Sequence, residues 1–191
     1  MNLSEVLRLV TSRLEQLLIP YMVVGSFASS AHGSIRTTQD ADLIVDLPRA
    51  KVAALVEMFG KDFYVDWGQA EQAIANNGSF NLIHLGSYFK VDLFVLSDRP
   101  FMREEFLRRV SGRLDESGDA RVWLATAEDS ILSKLDGYRA GGEVAELQWG
   151  DVVGILKVQS GRLDMKYLDR WARELGVLDL LTRALSNVGS K

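Results

Sequence analysis

Val6, Leu7, Val10, Leu14, Leu17 and Leu18 recur at helical spacing, so the chain opens with an amphipathic helix that has Ser4 as its N-cap and ends before Pro20. Tyr21 to Val24 is then an apolar run of strand length. Gly25-Ser26 opens a stretch of small residues, Phe27 to Gly33, that suits a short helix whose exposed N-terminus faces the strand end, an anion-binding geometry. Ala41 to Val45 is dense enough in apolar residues for a second strand, Pro48 marks its exit, and Lys51 to Phe59 returns to a helical pattern. Asp62 to Asp66 reads as an edge strand. Ser79 to Leu85 and Tyr88 to Leu96 flank Gly86-Ser87, a two-residue connection suited to a type II′ hairpin. From Thr126 onward the pattern is helical, with helices starting at Ala127 and spanning Val144 to Val158, Leu163 to Leu175 and Leu178 to Leu185. The pattern therefore predicts a mixed α/β (α+β) sheet flanked by helices over residues 1–125, and a helical C-terminal extension over 126–191 packed on that core. Trp149 and Trp171 fall among the leucines expected to pack these last helices.

Composition narrows the chemistry. With 191 residues, 47% hydrophobic and 25% charged, the chain has ample material for a buried core and none of the bias of a disordered or low-complexity segment. A net charge of −4 supplies no global attraction to nucleic acid or to an anionic membrane. The arginine-rich stretch 98–121 is no exception, since its six arginines meet six acids, and it reads as a solvated helix and loop. No cysteine is present and only His32 and His84 are available, which removes disulfides, thiolate metal sites and cysteine nucleophiles and leaves almost nothing for a histidine-rich zinc site. His32 sits among small residues and reads as structural; His84 lies on the hairpin strand without an evident ligand partner. Charged residues interrupt the apolar N-terminal segment, so no membrane partner is expected and the expected location is cytoplasmic.

Chemistry is left to carboxylates, hydroxyls and cations. Asp40 and Asp42, two residues apart on a strand, project to one face with their Cα atoms about 7 Å apart, while Ala41, Leu43 and Val45 turn into the core. On the later strand Lys90, Asp92 and Phe94 share one face, and Asp92 is a carboxylate set in an apolar run. Acids brought together repel one another or take up protons unless a cation joins them, and an all-oxygen donor set suits Mg²⁺ or Mn²⁺ rather than zinc. Strand, Gly25-Ser26, helix, Asp40-x-Asp42 and Asp92 also occur in the order of a site for nucleotide transfer. Glycine admits close backbone approach to a triphosphate, serine binds its oxygens, and the carboxylates hold two cations.

The segments VVGSFASSAHGSIRTTQDADLIV and FKVDLFVL resemble the minimal nucleotidyltransferases of the DNA polymerase β superfamily, and within them most closely the AbiEii-type toxin group. The likeness runs over residues 21 to 158 and includes AEDSILSKL, which resembles the segment that places a lysine, here Lys134, near the nucleotide phosphates. WGDVVGIL around Asp151 is similar to an aspartate-bearing helix of the same group, although Glu146 to Gly150 stand where that group often has Arg or Lys. The resemblance implies transfer of a nucleoside monophosphate from a nucleoside triphosphate to a hydroxyl of RNA or protein, with Asp40, Asp42 and Asp92 as catalytic metal ligands. It implies nucleotide binding by Gly25, Ser26, Arg36 and Lys134, and a cognate antitoxin as partner. Two readings stay open for Arg36: contact with a phosphate, or an ion pair bracing the Asp40 loop. The alternatives of another class are a catalytically silent nucleotide-binding or regulatory module, and a structural partner protein.

Overall fold

The computed structural model describes residues 1–33, 38–113 and 121–189. Its first half runs α1 (Leu3–Gln16), β1 (Tyr21–Val24), α2 (Gly25–Ala31), β2 (Asp40–Val45), a 3₁₀ turn (Arg49–Lys51), α3 (Val52–Phe59), β3 (Phe63–Tyr64), α4 (Trp67–Asn76), β4 (Ser79–His84) and β5 (Lys90–Val95). There follow α5 (Pro100–Arg108), β6 (Val110–Arg113), β7 (Arg121–Leu124), α6 (Ala127–Ala140), α7 (Glu146–Val158), α8 (Met165–Glu174) and α9 (Leu178–Gly189). The seven strands described form one sheet in the order β3-β4-β5-β2-β1-β7-β6. Pairing is parallel for β2 with β5 and for β1 with β7 and antiparallel elsewhere, so the sheet is mixed as expected. None of the described helices is long and apolar enough to cross a membrane.

The first helix starts two residues earlier than its pattern implied. Asn2, not Ser4, is the cap: its side chain accepts the Glu5 N–H at 2.9 Å while the Glu5 carboxylate accepts the Asn2 N–H at 2.8 Å, a reciprocal pair that satisfies two otherwise orphaned donors. Leu3, Val6, Leu7, Val10 and Leu14 form its buried stripe. They pack with Val52, Leu55 and Phe59 of α3 and Ala70 and Ala73 of α4 on one face of the sheet, against Ala41, Leu43, Val45, Val91 and Leu93. At about 1.5–3 kcal/mol for each large apolar side chain fully buried, this layer fixes the alternation of β2 and β5. Residues 40, 42 and 44 must then face the other way. On that second face Met22 and Ile44 pack with Ala28 of α2 and Phe106 of α5.

Two local expectations are corrected and one helix is added. The β4–β5 connection is not a two-residue type II′ turn: His84 pairs with Phe89 across a four-residue loop, and Tyr88 takes the left-handed conformation at φ 60°. His84 Nδ1 lies 2.8 Å from Ser87 Oγ, which ties the loop internally. Residues 67–76 form a helix that the apolar pattern did not announce, because only Ala70 and Ala73 of it are buried. The stretch 98–121 holds a helix, as expected, but also strand β6 and the start of β7, which runs on to Leu124 with Val122 and Leu124 turned into the core.

Helices α6 to α9 enclose a second apolar cluster that includes Ile131, Leu135, Val152, Ile155, Leu168, Trp171 and Phe101 of α5, with Trp149 at its margin. The polar knot of this region is Asp129, whose side chain is fully buried. It accepts the Tyr167 hydroxyl at 2.5 Å, the Thr126 hydroxyl at 2.6 Å and Arg108 Nε at 3.3 Å. The Arg108 guanidinium also lies 3.7 Å from the centre of the Tyr167 ring, and burial, with Asp129 as neighbour, keeps the Tyr167 phenol protonated well above its ordinary range. Tyr167→Phe keeps the ring but strips one donor from a carboxylate that water does not reach. It is expected to cost about 1–3 kcal/mol, read as a lower urea midpoint at unchanged slope.

Candidate functional site

The site is built where β1 gives way to α2. β1 and β2 pair so that Val24 stands opposite Asp42, and β2 pairs with β5 so that Asp42 stands opposite Asp92 and Asp40 opposite Lys90. Asp42 is therefore held between the β1–α2 junction and a second acid. Gly25, the residue at that junction, has φ +63°, and a Cβ on it would lie 2.1 Å from Asp42 Oδ2. Both the backbone conformation and the contact call for glycine there.

Electrostatics follow from this packing. Burial pushes the Asp42 carboxyl up to about 6, and the neighbouring charges of Asp40 and Asp92 push in the same direction against the opposing pull of Lys134 and Lys90. Lys90 Nζ sits 2.7 Å from Asp92 Oδ2, and that hydrogen bond raises the pKa of the lysine. Asp40 accepts the Thr38 hydroxyl at 3.0 Å, which braces the strand entrance. Across the cleft, Lys134 of α6 is buried with its Nζ 2.7 Å from Asp151 Oδ2 of α7. A lysine that the helical pattern alone would leave on the surface is thus fixed at the cleft by an acid on the next helix.

Gly25, Ser26, Asp40, Asp42 and Lys134 line a single cavity of about 590 Å³ between the second sheet face and helices α5 and α6. Asp92 is next to Asp42 in register but is turned to Lys90 and is not part of that lining. Arg36 lies outside the described residues. Among the described residues no three His, Cys, Asp or Glu side chains already form a metal cage. His32 is structural in this arrangement, with Nε2 2.7 Å from the Ala125 carbonyl oxygen.

The cavity also has residues that the motifs did not single out. Arg99, Phe101, Met102 and Glu105 enter from α5, and Ser130, Ser133 and Asp136 from α6. Glu105 was hidden in a charge-balanced stretch, yet it is 4% exposed. Burial pushes its carboxyl up to about 8, Asp129 and Asp136 add to the rise, and the hydroxyl of Ser133 and the charge of Arg99 oppose it. The signal available in the sequence was its place one turn after Phe101 on a helix face otherwise turned inward.

No family model matches the chain, and no curated protein does. Solved structures do. An antigenic nucleotidyltransferase-like protein from Paracoccidioides brasiliensis is similar over 96% of this chain and 91% of its own length, with a TM-score of 0.59 and 18% identity. The antibiotic-resistance factor ANT(2'')-Ia is similar over 96% of this chain and 94% of its own, with a TM-score of 0.54 and 15% identity. The fold is nucleotidyltransferase-type. At these identities the likeness concerns the path of the backbone, and the side chains of the cleft have to be argued on their own geometry.

Two outcomes follow from that geometry. Gly25→Ala is expected to lose about 1–2 kcal/mol from the left-handed backbone alone and to displace the Asp42 carboxylate; chemical denaturation gives the first and a crystal structure of the variant the second. For Glu105, the raised pKa means that the folded chain keeps a proton the unfolded chain has lost between about pH 4.5 and 8. Its contribution therefore falls as pH rises through that window, by at most about 1.4 kcal/mol per pH unit, and levels off above it. Glu105→Gln removes the titration, so wild type and variant should diverge in favour of the variant from pH 5 to pH 8; parallel urea midpoints across that range would contradict the assignment.

Proposed function

We propose that the protein is a nucleotidyltransferase that moves a nucleoside monophosphate from a nucleoside triphosphate to an acceptor hydroxyl and releases pyrophosphate. The observation that carries this reading is the placement of Asp42 against Gly25 and opposite Asp92, with Asp40 on the same sheet face and Ser26 and Lys134 on the same cavity. The donor set fits a divalent cation: it is all hard oxygen, and Asp42 is driven toward protonation by burial first and then by the two acids whose charge such a cation would offset. Asp40, Asp42 and Asp92 would hold Mg²⁺ or Mn²⁺, which when bound neutralises phosphate charge and acidifies the acceptor hydroxyl.

The chain's own residues account for the remainder. Gly25 carries no side chain where the triphosphate approaches, and Ser26, a residue 7% exposed on the cavity wall, donates its hydroxyl to a phosphate oxygen. Lys134, steadied by Asp151, presents its ammonium to the pyrophosphate as it departs. The acceptor oxygen forms the new bond to the α-phosphorus, the bond to pyrophosphate breaks, and Asp92 receives the acceptor proton before passing it to water. Arg36, close in sequence to Asp40, is proposed as a further phosphate contact. The finer assignment, an AbiEii-type, toxin-like enzyme that acts on RNA or protein in the cytoplasm and is held in check by a cognate antitoxin, is supported by the motif resemblance of residues 21 to 158. The boundary of the catalytic core is proposed at residue 125, where the last strand has ended and α6 begins.

The alternative, a catalytically silent nucleotide-binding or regulatory module, has one observation in its favour: Lys90 stands on the third acid at 2.7 Å. The two readings separate when purified protein is incubated with Mg²⁺, each nucleoside triphosphate and cellular RNA or protein. The enzyme releases pyrophosphate and labels an acceptor, and Asp42→Asn abolishes both while leaving the metal-free fold as stable or more so, since one of three like charges is gone. Binding of a triphosphate without pyrophosphate release selects the silent module; equal triphosphate affinity with and without Mg²⁺ removes the shared metal site.

A further inference from the structure

The second face of the sheet is covered unevenly. Over β1 and β2, Met22 and Ile44 pack with Ala28 of α2 and Phe106 of α5. Over β3, β4 and β5 the same face carries Tyr64, Ile83 and Phe94, and none of these belongs to the apolar clusters of the described residues. Tyr64 is 54% and Phe94 37% exposed, and Ile83 is half-buried. Register fixes where they stand. Asp40, Lys90, Ile83 and Tyr64 form one row across β2, β5, β4 and β3; Asp42, Asp92 and Asn81 form the next, and Ile44, Phe94 and Ser79 the one after. Asp92 and Asn81 therefore lie between an apolar pair, Ile83 with Tyr64, and Phe94, which also borders the cavity. The open face of an antiparallel sheet is ordinarily polar, so folding alone does not call for these three side chains.

The spacing and charge of this strip say what fits it. Successive rows on one face of a strand are about 6.6–6.8 Å apart, which is also the interval at which an extended peptide presents side chains to one side. A peptide residue over Asp92 thus has its neighbours two positions before and after over Phe94 and over Ile83 with Tyr64. The Asn81 amide, which has no hydrogen bond to a described residue, offers a donor and an acceptor to a peptide group. RNA fits less well. Its phosphates would meet Asp40, Asp42 and Asp92, and the cation of these rows, Lys90, is already held by Asp92 at 2.7 Å. A small alcohol would need a concave site, whereas the strip is an open sheet surface.

We propose that this uncovered strip is the acceptor site and that the acceptor is a protein: an extended segment with a serine, threonine or tyrosine at Asp92 and apolar residues two positions to either side, resting on Phe94 and on Ile83 with Tyr64. The assignment rests on the nucleotidyltransferase reading and narrows its acceptor to protein. The side-chain oxygen bonds to the α-phosphorus, pyrophosphate leaves, and the hydroxyl proton passes to Asp92.

The test uses the full chain, Mg²⁺ and each nucleoside triphosphate labelled at its α-phosphate. The acceptor probes are short RNA oligonucleotides and short synthetic peptides with one central hydroxyl residue. Peptides with leucine two positions to either side are expected to take the label, and moving the leucines next to the hydroxyl residue, or replacing them with glutamate, to cut transfer by about tenfold. Tyr64→Ala, at an exposed position, and Ile83→Thr, which keeps a β-branched residue on the strand, are each expected to cut transfer to the best peptide by about five- to tenfold. Their affinity for the triphosphate, read by calorimetry, should stay within about twofold of wild type, because neither residue lines the cavity. If the peptides are labelled whatever their register, or if both variants transfer as wild type does, the strip is not the acceptor site. Label on RNA and not on peptide refutes the protein acceptor. If the triphosphate binds in Mg²⁺ and no probe is labelled, the proposal fails while nucleotide binding stands. If no triphosphate binds, the nucleotidyltransferase reading falls and takes the acceptor site with it.

Discussion

A carboxylate pressed against a glycine governs this molecule. Asp42 has room only because Gly25 lacks a side chain, and it has a neighbour of like charge because β2 and β5 pair with Asp42 opposite Asp92. Shifting β2 by one residue would turn Asp40 and Asp42, and shifting β5 would turn Asp92, into the apolar layer of α1, α3 and α4, at a cost far beyond any gain from pairing. The hydrophobic core on one side of the sheet thus holds the acids in register on the other. What the arrangement concedes is charge repulsion at Asp42, partly relieved by two lysines from different parts of the chain.

Those lysines have different supports. Lys90 is local, two strand positions from its partner Asp92 on the same face and partly open to solvent. Lys134 depends on tertiary structure, since Asp151 belongs to the following helix and both groups are almost wholly withdrawn from water. A buried ion pair of this type contributes little net stability compared with an apolar pair, but removal of one partner is strongly destabilising. Its value lies in position: it places one cation at a cleft whose other wall is acidic. The buried knot around Asp129 does similar work for α5, α6 and α8, and so sets the floor on which Glu105 and Ser133 meet.

The parts legible in the sequence were those fixed by short-range periodicity. The bounds of β1 follow from four apolar residues between Pro20 and Gly25, and the facing of Asp40, Asp42 and Asp92 follows from strict alternation. Helix α4 escaped because alanines make a faint stripe, although Asp66 with Gln69 three residues later is a cap whose hydrogen bond, at 2.7 Å, forms. Strands β6 and β7 escaped because Val110, Trp123 and the arginines around them leave one face to solvent and blur the alternation. Glu105 was overlooked for a different reason. Its burial is produced by α5 docking between the sheet and α6, and its place one turn after Phe101 was the single local sign of it.

The pairing of β1 with β7 joins residues a hundred positions apart, through Val23 opposite Leu124 and the Ala125 N–H on the Val23 carbonyl. Because a chain is made from its N-terminus, all three acids and the glycine leave the ribosome before the strand that seats α6, and well before Lys134 and Asp151. A nascent or prematurely ended chain carries the acidic half of the cleft without its opposing cation. For a protein proposed to modify cellular macromolecules, the order of synthesis itself delays competence until nearly the whole chain has emerged.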